Sequence, residues 1–175
     1  MVQQTLKRAH AKIYRKAREI GISEIVFGIG FGLIAFIFNL VFHEFAHYAV
    51  AVLLGYPARI EGLFVFEGWT TVYADITNPT HLALIAAAGP MACLALGEYF
   101  WRFGRRSPFR YVAMILWFFG ALPNLIPLPA RDAWYLYNTI GPAWSWFIFL
   151  IAFGYVWARF LFDGVGPADW EEGIT

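Results

Sequence analysis

Apolar residues in this chain gather into four long runs, and most of its charges fall outside them. The first run, 22–55, has 34 residues, of which only Glu24 and Glu44 are formally charged. As one helix it would measure roughly 51 Å against a hydrocarbon core of roughly 30 Å. That is too long for one upright crossing and too short for two. The pattern therefore predicts a tilted or protruding helix, with Gly28, Gly30 and Gly32 as places to bend or to pack closely. The second run, 81–103, carries Gly89-Pro90 and Glu98. The third, 109–128, enters a stretch with Pro123, Pro127 and Pro129, three prolines in seven residues, which must break a regular helix. The fourth run is 143–162. Between the first two runs, residues 56–80 change character. Pro57, Gly62, Gly68 and Pro79 punctuate a β-rich segment, 60–76, that predicts two short strands turning near Glu67-Gly68. Residues 1–21 interleave six basic residues with Ile13, Tyr14 and Ile20, which suits an amphipathic helix on a membrane surface or a solvated basic tail. Residues 163–175 form a short acidic tail, and no internal repeat or low-complexity tract is present.

Composition agrees with that pattern. With 60% hydrophobic, 20% aromatic and 14% charged residues, the balance is not that of a soluble domain. The expected fold is an all-α polytopic membrane protein of about four transmembrane helices with a small membrane-associated β-hairpin insertion, the bilayer being its surroundings and nucleic acid no partner. The many Phe and Trp residues read as lipid-facing bulk and interface anchors. A single cysteine, Cys93, excludes an internal disulfide. The basic N-terminal stretch leads into an apolar run far longer than a signal-peptide core, so the segment is expected to be retained. Net charge, +1, is uninformative, but its placement is not. Four spans would set Lys7, Arg8, Lys12, Arg15, Lys16, Arg18, Arg102, Arg105, Arg106, Arg110 and Arg159 on one side and only Arg59 and Arg131 on the other. The positive-inside rule then places both termini of this multi-pass chain in the cytoplasm.

The chemistry is concentrated where charge is most costly. His43-Glu44-Phe45-Ala46-His47 lies inside the first apolar run, and ionisable side chains at bilayer depth signal function. On a helix, positions i and i+4 lie about 40° apart around the axis, so both imidazoles face one spot and can share a zinc ion. Glu44 adjoins that face, within reach of a water at the open coordination position. A catalytic zinc takes three protein ligands, so two histidines are one short. Asp132 is the best third candidate, because it follows a broken helix end that could fold back, whereas Asp75 and the carboxylates after 163 lie in a loop and a tail. The alternative for Asp132 is an interfacial carboxylate paired with Arg131 or capping the next turn. His81 reads as an interfacial side chain, and Glu98 as the i+4 partner of Arg102 rather than the lining of a water path. Asn39, one turn before His43, shares its face and would orient a ligand or bond another helix. His10 has no assigned role.

These residues resemble the site-2 protease family of intramembrane zinc metalloproteases. The family carries H-E-x-x-H on one transmembrane helix and N-x-x-P-x-x-x-x-D-G on a later one. His43 to His47 match the first element, and Asn124 to Asp132 reproduce the second through its aspartate, with Ala133 in place of the glycine. Gly89-Pro90-Met91-Ala92-Cys93 matches the family's G-P-x-x-N element with Cys93 in place of asparagine. The resemblance covers residues 36–135. It implies one zinc per chain held by His43, His47 and Asp132, Glu44 as the proton carrier for peptide hydrolysis, and Asn124 as a substrate-backbone contact. It also implies a transmembrane protein as substrate, met as an extended strand at the hairpin. Ala133 and Cys93 change the surroundings of the ligands, which bears on rate or substrate more than on metal binding. The charge bias sets the Gly55 end outside, opposite to the family's usual orientation. Two rival classes remain: a zincin-like membrane binding protein or subunit that does not cleave, and a transporter that uses the histidines for a metal or cofactor.

Overall fold

The computed structural model describes residues 22–62, 68–103, 109–129 and 131–163. The expected surface helix over 1–21, Glu67 of the expected Glu67-Gly68 turn and the acidic tail after 163 lie outside the described residues. In order, the elements are α1 (Ile22–Leu53), β1 (Ala58–Glu61), β2 (Trp69–Val72), α2 (Pro79–Phe103) and α3 (Phe109–Ile115). A π-helical stretch, Leu116–Ala121, follows, then α4 (Leu122–Leu125), α5 (Asp132–Ile140) and α6 (Pro142–Asp163). Two compact units divide the chain at residues 34 and 35, α1 beginning in the first and ending in the second. In the first unit, Val26, Ile29, Leu33 and Ile34 are exposed apolar positions of α1.

Three helices are long and apolar enough to cross a membrane, over Gly28–Leu53, Pro79–Arg102 and Pro142–Phe162. The expected third span takes a different form. Residues Phe109–Leu125 make a shorter apolar helix, roughly 25 Å long, interrupted by the π-helical stretch. It stops at Leu125, three residues before the expected end, because Pro127 and Pro129 cannot continue it. Helix α1 ends where the sequence pattern does. Gly55 adopts φ +86°, Gly55 N–H donates to Val52 O at 3.0 Å and Tyr56 N–H to Ala51 O at 2.9 Å. This paired closure with a left-handed glycine satisfies carbonyls that the helix end would leave open.

The two strands pair antiparallel, with Ala58 opposite Val72, Ile60 opposite Thr70 and Glu61 opposite Trp69, so the expected β insertion is present over its described part. Gly62, at φ +75°, lets the Trp69 ring lie against the chain where any Cβ would collide with it. The core of the second unit lies among α2, α3, the π-helical stretch, α4 and α6. There Trp101, Ala113, Trp117, Leu122, Leu125, Ala152 and Val156 are buried together. A smaller cluster joins α2 to α5 through Ala86, Ala133 and Leu136, with Ala83 and Ala87 packed on it. Helix α5, which the hydrophobic runs did not predict, is thereby seated on α2. Its first residue is Asp132.

Candidate metal centre

Helix α1 in the second unit is turned inside out relative to a helix of a soluble domain. Ala35, Asn39, His43, Glu44, His47 and Ala51 are buried, while Phe38, Val41, Phe45 and Val52 are exposed. Polar groups inside and aromatic or aliphatic groups outside is the arrangement that an apolar solvent selects, because a lipid-facing imidazole or carboxamide would lose its hydrogen bonds. The i, i+4 spacing places His43 and His47 on the buried stripe, at 6% relative exposure each. Helix α2 crosses them at Gly89. A Cβ there would fall 2.6 Å from His43 Nε2 and closer still to His47 Nε2, so only glycine leaves the space on which the two imidazoles converge. Pro90 lacks the N–H that would bond the carbonyl of Ala86, and in the same turn the Ile85 carbonyl turns to His47.

That last contact fixes the chemistry of His47. Its Nδ1 lies 2.6 Å from Ile85 O, and a carbonyl can only accept, so Nδ1 carries the proton. In the neutral ring Nε2 is then a lone-pair donor. This Nε2 lies 3.1 Å from His43 Nε2 and 3.2 Å from Asp132 Oδ2, and His43 Nε2 lies 2.9 Å from the same oxygen. Three potential donor atoms therefore face one point, and with His43 Nε2 also deprotonated they could share a cation. A tetrahedral zinc with bonds of about 2.0–2.1 Å sets its ligand atoms about 3.3 Å apart, close to the three separations here. Two imidazoles and a carboxylate are a donor set able to hold a metal ion. His43, His47 and Asp132 are the group among the described residues able to hold a metal ion. Asp132 reaches it from the start of α5, after the prolyl segment turns through Leu128 N–H to Ile126 O at 2.7 Å and Arg131 N–H to Leu128 O at 3.2 Å. Of the readings open for Asp132 in the sequence, its geometry selects the one facing the histidines.

Around this triad lie contacts that the sequence did not reveal. Thr70 of β2 places its hydroxyl 3.0 Å from Glu44 Oε2 and 2.9 Å from Glu44 O. His43 Nδ1 lies 3.7 Å from Cys93 Sγ, and Sγ lies 3.6 Å from Asn39 Oδ1. Were His43 Nε2 to bind a metal, its Nδ1–H would donate to the sulfur and the thiol to Asn39, a chain that would hold the ring orientation. Gly120 of the π-helical stretch closes over this chain, since a Cβ there would fall 2.7 Å from Cys93 Sγ and nearer to Asn39 Oδ1. Of the two roles its spacing suggested, Asn39 is seen in the second, bonding another helix through Cys93 of α2.

Other singled-out residues lie elsewhere. Asn124 Nδ2 donates to Gly120 O at 3.0 Å, bonding the backbone where the π-helical stretch gives way to α4. His81 Nδ1 meets Tyr56 OH at 3.0 Å, away from the ligand group. Glu98 pairs with Arg102, as its spacing predicted, and also with Arg159 of α6, whose Nη2 and Nε reach Oε1 at 2.7 Å and Oε2 at 3.1 Å. Arg159 could not be inferred as a partner from spacing, because 61 residues separate it from Glu98. Compared with protein-family models, curated proteins and solved structures, the chain finds no match.

Proposed function

We propose that the chain is a zinc-dependent intramembrane endopeptidase of the site-2 protease kind. The observation that carries the reading is the convergence of His43 Nε2, His47 Nε2 and Asp132 Oδ2 within 3.2 Å of one another, with Glu44, itself buried, next to His43 on the same helix. Those three side chains would hold the ion. A zinc ion bound there supplies Lewis acidity for hydrolysis at neutral pH. Glu44 takes a proton from the attacking water as the water oxygen adds to the scissile carbonyl carbon, then passes it to the amide nitrogen as the C–N bond breaks. One water is consumed, and a carboxylate and a protonated amine are released. Asn124, as the matching family position, is assigned to the substrate backbone, and the hairpin to an unwound transmembrane segment received as a strand.

For topology, we assign the shorter helix Phe109–Leu125 as a fourth crossing, with both termini on the basic, cytoplasmic side. Transport by the same histidines would require no general base, so Glu44 separates the two readings. Wild type and Glu44→Gln, purified in detergent and incubated with tagged transmembrane peptides, provide the test. The proposal expects cleavage by wild type and its loss in Glu44→Gln by at least about a thousandfold, with metal content unchanged. Equal cleavage by both proteins would overturn Glu44 as the proton carrier.

A further inference from the structure

The hairpin has two unlike faces. Alternation sets Ala58, Ile60, Thr70 and Val72 on one and Arg59, Glu61, Trp69 and Thr71 on the other. The second face is polar and self-contained, with Glu61 accepting from Tyr73 OH at 2.6 Å, Thr71 Oγ1 at 3.1 Å and Trp69 Nε1 at 3.2 Å. The first face is aliphatic except for Thr70. A valine at this position would suit the strand as well, so the hydroxyl is what needs a reason. It is aimed at one residue, Glu44, and reaches both that residue's carboxylate at 3.0 Å and its backbone carbonyl at 2.9 Å.

We infer that Thr70 is a positioning residue for Glu44, holding one carboxylate oxygen so that the other is presented to the metal-facing side, and coupling the hairpin to the proton carrier. The inference rests on the hydrolytic reading of Glu44 above. A glutamate has three side-chain torsions, and an unheld carboxylate would sample many orientations beside the ligands. A hydrogen bond to one oxygen removes most of them and leaves the second oxygen available. Because the single hydroxyl proton of Thr70 is shared between that oxygen and the Glu44 backbone carbonyl, a displacement of β2 acts on the carboxylate as well as on the α1 backbone. The strand expected to receive the peptide is therefore mechanically tied to the group that moves the proton.

The test uses full-length, zinc-loaded wild type, Thr70→Val, Thr70→Ser and Glu44→Ala in detergent, and reads zinc content, kcat, KM and backbone amide exchange over 69–72. In Thr70→Val, zinc stays at about one per chain and KM stays within about twofold while kcat falls about tenfold or more; Thr70→Ser recovers kcat to within about threefold. Exchange over 69–72 speeds up in both Thr70→Val and Glu44→Ala and stays at the wild-type rate in Thr70→Ser. An unchanged kcat in Thr70→Val, a serine variant as impaired as the valine one, or exchange indifferent to Glu44→Ala would each overturn the inference. Failure of the hydrolytic reading looks different: wild type then binds zinc and cleaves no peptide. The exchange comparison between Thr70→Val and Glu44→Ala still upholds or overturns the coupling in that case.

Discussion

At the scale of single residues, the site depends on two kinds of position, those that donate electrons and those that stay out of the way. The donors were legible because their spacing is a property of the helix itself: four residues bring His43 and His47 to one side whatever the tertiary fold. Asp132 was legible less directly, through the prolines that stop α4 and let the chain return. Gly89 illustrates what a sequence withholds. Its need to be glycine comes from two imidazoles of another helix, 2.6 Å or less from where a Cβ would lie. Gly89→Ala is accordingly expected to weaken zinc binding by at least about tenfold while leaving helical content unchanged, as measured by competition with a chelating dye and by circular dichroism. Cys93 gives a graded companion. Cys93→Ala breaks the chain from His43 to Asn39 and should weaken zinc binding about tenfold, whereas Cys93→Asn, which can still accept from the imidazole, should retain affinity within about threefold.

At the scale of elements, the hairpin and the broken helix matter most. Two strands were visible in the β-rich composition of 60–76 and in its glycines and prolines, though β1 begins two residues earlier at Ala58; which face would turn inward was not, because Thr70 and Thr71 are chemically equivalent until Glu44 and Glu61 take one each. The outer face carries a pH response. The hydroxyls of Tyr73 and Thr71, donating to Glu61, hold its carboxyl below the ordinary carboxylate range. A depressed carboxyl stabilises the folded hairpin above its unfolded-state pKa, and that contribution disappears as pH falls through the lower folded-state value. Amide protection over 69–72, corrected for the intrinsic exchange rate, should therefore decrease as pH falls through and below the ordinary carboxylate range, and Glu61→Gln should flatten the profile. The stretch Phe109–Leu125 was legible as apolar but not as a π-bearing helix. Its local winding answers to Gly120 packed over Asn39 and Cys93, neighbours 81 and 27 residues away in sequence.

At the scale of the whole molecule, the distribution of polar groups is the argument for a membrane. Asn39, His43, Glu44 and His47 are buried while Phe45, Trp144, Phe147, Leu150 and Phe162 are exposed, an arrangement that would aggregate in water and is stable in lipid. Helices α2 and α6 are joined across this interior by the forked pair of Arg159 with Glu98. Arg159→Met should lower stability by on the order of 1–3 kcal/mol, seen as a lower Tm in detergent, with zinc content unaffected. The three helices long and apolar enough to cross a membrane were legible because length and apolarity alone define them. The site was half legible: its ligands lie in local motifs, whereas Thr70, Ile85 and Gly120 enter only when strands and helices meet.

The measurement that bears most directly on this account is a zinc titration of the purified, metal-stripped protein and its Asp132→Ala and His47→Ala variants. The account predicts one tight site per chain in wild type, at least about a hundredfold weaker binding in Asp132→Ala, and weaker still or none in His47→Ala. A wild type that takes up no zinc, or binding untouched by both substitutions, would contradict it.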